Sequence, residues 1–115
     1  MGKEAIWSVL FSVMKGIATR SFRFYKGPDF ILRRRGSLGH RIAVLRYQEG
    51  AQEFDIVAEE GVDGGFSMDV NEMAASSIGY QNLSEADKIR IAKNIRNALV
   101  SQGFECQVIA DNRLI

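Results

Sequence analysis

Residues 40–60, HRIAVLRYQEGAQEFDIVAEE, decide the fold of this chain. Apolar residues recur there at every second position in two sets: Ala43, Leu45 and Tyr47, then Phe54, Ile56 and Ala58. Because the side chains of a β-strand point alternately to its two faces, each set predicts a strand with one covered face. Glu49-Gly50-Ala51 lies between the sets and is typical of a tight connection. The stretch therefore predicts two neighbouring strands of an antiparallel meander.

Shorter segments on both sides extend this meander. Four of them have the alternation or the apolar runs of strands: residues 22–25, 30–35, 66–70 and 104–110. The turn Lys26-Gly27-Pro28-Asp29 separates the first two, and a glycine-rich break at residues 61–65 precedes the third. We therefore expect an antiparallel sheet of four to six strands.

Two segments have the apolar spacing of an amphipathic helix. The first covers residues 4–19. The second covers residues 84–102, where Ser84 and Asp87 form a start like a capping box and Gly103 is a typical helix terminator. The apolar face of this second helix is formed by Ile91, Ile95 and Leu99. We expect that face to pack on the sheet.

These elements predict a single α+β domain over residues 1–115. It consists of an antiparallel sheet of four to six strands with an N-terminal helix and a C-terminal helix followed by a last strand. A length of 115 residues suits one domain. The formal net charge of +1 provides no global field that would attract DNA, acidic lipids or an acidic substrate.

The cysteine content and the apolar N-terminal run indicate the compartment. Cys106 is the only cysteine, so no intrachain disulfide can form, and this favours a reducing environment. The apolar run Ala5–Met14 is interrupted by Ser8 and Ser12 and is too short to span a bilayer. We therefore expect a packed helix there, no membrane partner, and a cytoplasmic location.

The sequence has no recognisable catalytic machinery. His40 is the only histidine, so a catalytic triad or a histidine-rich metal site would have to include it. His40 and Cys106 could act as a nucleophile pair only if the fold brought them together, and neither lies in a recognisable nucleophile motif. The acids around Asp63 lack the alternating oxygen ligands of a calcium loop. We therefore expect no enzymatic activity, no catalytic residues, no metal and no cofactor.

Two clusters of charged residues are candidates for binding. The basic cluster consists of Arg33, Arg35, Arg41 and Arg46, with Tyr47 nearby. It could follow a phosphate backbone while the tyrosine stacks on bases, or it could protect a sheet edge from aggregation. The acidic cluster consists of Glu59, Glu60, Asp63, Asp69 and Glu72. It could meet a basic protein such as a nuclease toxin, or it could be an ordinary solvated loop.

Four short motifs follow one another between Tyr25 and Ile109. They are Tyr25-Lys26-Gly27-Pro28, Leu45-Arg46-Tyr47-Gln48-Glu49, Leu83-Ser84-x-x-Asp87, and Ile91-x-x-Asn94-Ile95-x-x-Ala98-Leu99-x-x-x-Gly103. In the order of these motifs the chain resembles small immunity proteins of bacterial polymorphic-toxin and contact-dependent growth-inhibition systems. The resemblance implies a protein that binds one cognate toxin domain and neutralises it by protein–protein contact.

The expected partner-binding surface lies in the acidic segment 59–72 and its neighbourhood. The candidate residues are Glu59, Glu60, Asp63, Phe66, Asp69, Glu72 and Tyr80, of which Phe66 and Tyr80 are the expected apolar anchors. The alternative is a single-stranded nucleic-acid-binding domain that acts through the arginine-rich strands. The near-neutral net charge argues against a nucleic-acid partner, because such affinity depends on neutralising phosphates. The sequence indicates no particular oligomeric state.

Overall fold

The computed structural model describes residues 21–72 and 78–115, without the side chain of Ile78. Its main feature is one seven-stranded sheet in which the spatial order of the strands follows their order in the chain. The strands are β1 (Phe24–Lys26), β2 (Ile31–Ser37), β3 (Ile42–Glu49), β4 (Gln52–Glu60), β5 (Phe66–Asp69), β6 (Cys106–Ala110) and β7 (Arg113–Leu114). The helices in the described ranges are the single turn α1 (Ile78–Gln81) and the long helix α2 (Glu85–Ser101).

Neighbouring strands are antiparallel except for β5 and β6, which run parallel. Parallel neighbours need a long connection, and here α2 lies within it. The β3–β4 hairpin turns at Gly50, whose φ of +61° is a conformation that glycine adopts without steric cost. Strand β6 continues into β7 through Asp111 and Asn112, which both have positive φ and form a second tight turn.

Helix α2 covers one face of the sheet, which we call the inner face. Its buried residues belong to the same apolar core as Leu32, Leu45 and Ile56 of the strands: Ile91, Ala92, Ile95, Ala98 and Leu99. The helix begins where the Ser84 hydroxyl accepts a hydrogen bond from the Asp87 N–H, 3.1 Å away. In the described ranges, no helix is both long and apolar enough to cross a lipid bilayer.

The end of α2 and its apolar face follow the sequence prediction. Gly103 has a φ of +92°, and its N–H donates to the carbonyl of Val100 while the Phe104 N–H donates to that of Leu99. These two bonds form a Schellman motif, which satisfies carbonyls that the helix leaves unpaired. The predicted terminator at Gly103 is therefore confirmed, as is burial of Ile91, Ile95 and Leu99.

Polar contacts hold α2 to the end of β3. The hydroxyl of Tyr47, which lies in the core, donates to Glu49 Oε1 at 2.7 Å and accepts from Asn94 Nδ2 at 2.9 Å. Arg90 donates to both oxygens of the Glu49 carboxylate, at 2.9 and 3.0 Å. These contacts lower the pKa of Glu49, the hydrogen bond from Tyr47 first and that from Arg90 second.

The predicted arrangement of the sheet was wrong. Over the described residues, the sheet has seven strands instead of four to six, it is not wholly antiparallel, and β7 follows the strand that was expected to be last. Side-chain alternation reports which face a residue occupies but not the direction of a neighbouring strand, so it does not distinguish parallel from antiparallel pairing. The predicted N-terminal helix, residues 4–19, lies outside the described residues.

The pairing of β4 is unequal on its two sides. It pairs with β3 along its whole length, from Gln52 to Glu59. It pairs with β5 only next to the connecting loop, at Glu59 with Ser67 and Glu60 with Phe66. Beyond these two positions, β4 and β5 diverge, and no other described strand takes the place of β5.

Candidate partner-binding surface

Three predicted site residues lie together on the outer face of the sheet, which is the face opposite α2. Glu59, Asp69 and Glu72 line a depression of about 290 Å³ where β4 and β5 diverge. The apolar part of its lining comes from Ile42, Val57, Ala58 and Ile109. The structure therefore places carboxylates around a partly apolar recess.

A second depression of about 260 Å³ lies next to the first and shares Glu59 and Ser67 with it. The loop between β4 and β5 borders it through Gly61 and Gly65, and Arg41 lies on its rim. Inside this loop the Gly61 N–H donates to the Gly65 carbonyl at 2.8 Å. The loop is thus held in a defined shape beside Glu59.

Asp63 and Val62 occupy the tip of the same loop. Asp63 Oδ1 accepts a hydrogen bond from the Gly65 N–H at 3.0 Å, which fixes the carboxylate within the loop. Val62 is 76% exposed. Its apolar character between Gly61 and Asp63 was the signal for an exposed anchor, and the sequence analysis missed it.

We call Glu59, Asp63, Asp69 and Glu72 the acidic surface. Within the described ranges, none of these four carboxylates has a Lys or Arg nitrogen within 4.0 Å. Asp69 Oδ1 accepts a backbone hydrogen bond from the Asn71 N–H at 2.9 Å. The negative charge of this surface is therefore not compensated by an ion pair in the described part of the chain.

Glu60 lies apart from the acidic surface. Its side chain follows Ala58 on the inner face, because residues two apart in a strand share a face. Arg34 holds its carboxylate with two hydrogen bonds, at 2.8 and 3.3 Å, and each of the two side chains is only 18% exposed. Glu60 is therefore neutralised within the protein, although it lines the second depression.

Phe66 and Tyr80 belong to the core. Phe66 is 4% exposed, and its ring packs edge-on against Phe104 with 5.9 Å between centroids. Tyr80 is 2% exposed and packs edge-on against Phe54, and its hydroxyl donates to the carbonyl of Val70 at 3.4 Å. The two residues predicted as apolar anchors of a partner interface therefore have their rings in the core of the protein itself.

The arginine-rich strands are internally neutralised at several positions. Arg46 pairs with Asp55 at 2.9 Å and with Glu53 at 3.1 Å, and Arg35 pairs with Asp55 at 3.0 Å. The hydrogen bond from Arg46 is the main reason that the pKa of Asp55 is lowered. Tyr47, the expected stacking residue, is buried. Arg33 and Arg41 remain exposed and without an ion pair in the described ranges.

The two residues considered as a nucleophile pair lie in different environments. His40 is exposed between β2 and β3, whereas Cys106 at the start of β6 is partly buried against the core. Burial raises the pKa of the Cys106 thiol to about 11, so that the thiol is protonated at neutral pH. In the described ranges, no group of three or more His, Cys, Asp or Glu side chains could hold a metal ion.

Comparisons with protein-family models, with curated proteins and with solved structures find no match for this chain.

Proposed function

We propose that this protein is an immunity protein, which binds a cognate bacterial toxin domain in the cytoplasm and neutralises it by protein–protein contact. One observation carries the proposal: the two charged clusters differ in how their charge is compensated. In the described part of the chain, four of the five acids of the acidic cluster have no ion pair, and Glu60 is the exception. Two of the four arginines of the basic cluster, Arg35 and Arg46, are paired with acids. An uncompensated acidic surface is complementary to a basic partner.

The surroundings of the acidic surface supply the apolar contacts that affinity requires. Val62 is exposed at the loop tip, and Val57 and Ile109 line the depression beside Glu59. Carboxylates at the rim accelerate encounter and select basic partners, while buried apolar anchors slow dissociation. The sequence motifs between Tyr25 and Ile109, which resemble those of immunity proteins, support the same function.

The nucleic-acid alternative has less support. Binding to single strands depends on free cations along the backbone and on aromatic side chains that stack on bases. Arg34, Arg35 and Arg46 are engaged by acids of the same chain, and Tyr47 lies in the core, so that Arg33 and Arg41 are the members of the basic cluster without an ion pair in the described ranges. A nucleic acid would have to break those ion pairs before it could use these arginines.

The test is a charge reversal on the acidic surface with a matched control. The variant Glu59→Lys/Glu72→Lys is compared with Asp29→Lys/Glu85→Lys, which changes the net charge equally at two other exposed positions. Each protein is co-expressed with the toxin domain encoded by the neighbouring gene. Growth protection is scored, and association kinetics are measured at low and high salt.

We expect Glu59→Lys/Glu72→Lys to associate about 10- to 100-fold more slowly, with a weaker dependence on salt and reduced protection. The control variant should associate no more than about threefold more slowly than the wild type. Equal kinetics and protection for both variants would remove the acidic surface from the interface. Tight, salt-dependent binding to single-stranded DNA without any protection would favour the nucleic-acid alternative instead.

A further inference from the structure

In the described part of the chain, strand β4 has an unpaired edge beside the acidic surface. The Glu60 N–H donates to the carbonyl of Arg41 on β3, and the next residue, Gly61, donates to the Gly65 carbonyl on the opposite side. Backbone groups of successive strand residues point to opposite edges. Counting back from Gly61, the N–H and carbonyl groups of Val57, Asp55 and Glu53 therefore point away from β3.

Within residues 21–72 and 78–115, these backbone groups have no partner on that side. The pairing with β5 ends at Glu59, and no hydrogen bond from the described residues reaches the backbone of Val57, Asp55 or Glu53 there. Glu53 is exposed, and Asp55 and Val57 are partly exposed. We call these three residues the open edge of β4. A row of free donors and acceptors of this kind is a template for another strand.

We propose that the open edge of β4 binds an extended, basic segment of the partner as an added strand. The proposal rests on the immunity function and deepens it, because it names the way in which the partner docks. Backbone hydrogen bonds to Asp55 and Val57 would supply affinity independent of sequence, and side-chain contacts would supply selectivity.

The charges and the recess beside the edge define the chemistry of the segment. Side chains of Val57 and Glu59 share the outer face, because they are two residues apart in β4. An added strand places every second side chain on that face. There an apolar side chain meets Val57 and Ile109 of the recess, and a lysine or arginine reaches Glu59 or Glu72 at its rim. At the positions that face outward, the segment therefore alternates basic and apolar residues.

The first measurement is amide hydrogen exchange of the free protein, resolved by residue. The amides of Val57 and Asp55 should exchange at least about 100-fold faster than those of Ile56 and Ala58, which bond to β3. Equal protection of all four amides would mean that the edge is already paired, and it would overturn the proposal.

The second measurement uses Val57→Pro with Val57→Ala as its control. Proline removes the N–H that points to the open edge but no bond to β3, and its ring blocks an approaching strand. Alanine keeps the N–H and removes the apolar side chain. The probes are blocked peptides of the repeating sequences Lys-Ser-Val-Ser and Glu-Ser-Val-Ser, titrated at two salt concentrations.

We expect the lysine peptide to bind the wild type more tightly than the glutamate peptide, and to protect the Val57 and Asp55 amides. Val57→Pro should weaken this binding at least tenfold, and Val57→Ala about threefold. Equal binding to both variants would overturn the proposal. If Val57→Pro fails to fold, the test is whether the lysine peptide protects the Val57 and Asp55 amides of the wild type from exchange. Protection supports the added strand, and its absence refutes the proposal.

Growth protection against the toxin distinguishes the added-strand proposal from the immunity function on which it rests. If Glu59→Lys/Glu72→Lys loses protection while a folded Val57→Pro retains it in full, the immunity function stands and the added strand is refuted. If both variants lose protection and Val57→Ala retains it, both proposals are supported. If no toxin is bound but the lysine peptide still binds at the edge, the immunity function fails, while the edge remains a binding site for basic segments.

Discussion

The hydroxyl of Tyr47 lies where β3 meets α2, and its replacement tests how that contact stabilises the fold. Tyr47→Phe removes a hydrogen bond to the Glu49 carboxylate and another from the Asn94 amide. A bond to a charged group contributes about 1.5–3 kcal/mol and a neutral one about 1 kcal/mol. In the variant, water can hydrogen-bond to Glu49 and Asn94 and so offset part of the loss. We therefore expect the free energy of unfolding to fall by about 2–3 kcal/mol at pH 7.

The same hydroxyl predicts a pH dependence with a definite sign. Burial and the hydrogen bond to Glu49 raise the pKa of Tyr47 from 10.0 to about 12. Because folding raises this pKa, the stability linked to it is fully present below pH 10 and is lost as the pH rises through about 12. The difference between these pKa values corresponds to roughly 3 kcal/mol. The free energy of unfolding of the wild type exceeds that of Tyr47→Phe, and this difference should therefore be about 1–1.5 kcal/mol smaller at pH 11 than at pH 9.

The assay is urea unfolding followed by circular dichroism at pH 7, 9 and 11. Tyr25→Phe is the matched control, since the Tyr25 hydroxyl makes no hydrogen bond within the described ranges and packs only through its ring against Phe30. We expect this control to change stability by less than about 0.5 kcal/mol. The reasoning would be refuted if the free energy of unfolding of Tyr47→Phe lay within about 0.5 kcal/mol of the wild-type value and the difference did not change with pH.

Two further predictions concern the core. Ile95 is fully buried in α2, so Ile95→Asp should unfold the domain by placing a charge in the core at a cost of several kcal/mol, whereas Ile95→Val should cost about 1 kcal/mol. A Tm for Ile95→Asp close to that of the wild type would show that this face of α2 is not packed as described. The pKa of Cys106 is raised to about 11, so roughly one thiol in a thousand is ionised at pH 8. A thiol reagent should therefore react at least about 100-fold more slowly with the native protein than with the urea-unfolded protein. Equal rates would contradict the burial of this thiol.

The elements that the sequence analysis located correctly are those whose signal repeats along the chain. Strands β3 and β4 have the side-chain alternation of half-buried strands, and α2 has both its apolar face and its capping residues. Strand β7 has only two residues, too few for any periodicity. Its turn at Asp111-Asn112 was the one local signal that could have revealed it, since these residue types tolerate positive φ.

Part of the candidate site depends on contacts that no local pattern contains. The acidity of segment 59–72 was visible, and Glu59, Asp69 and Glu72 do line one depression. The neutralisation of Glu60 depends on Arg34, which is distant in the sequence and reaches it across the inner face. The sequence placed Phe66 both in the predicted strand 66–70 and on the partner surface, and in the structure it is the first residue of β5 with its ring in the core.

The parallel pairing of β5 with β6 has a consequence for the order of events during synthesis. Strands β1 to β4 pair with sequence neighbours through short turns, so they can form as soon as they leave the ribosome. Strand β5 acquires its full-length partner only after α2 and residues 106–110 have been made. Until then, the backbone edge of β5 that β6 will occupy is unpaired, and an unpaired edge of this kind promotes association with other chains. We therefore expect the chain to be most prone to aggregation before β6 is complete.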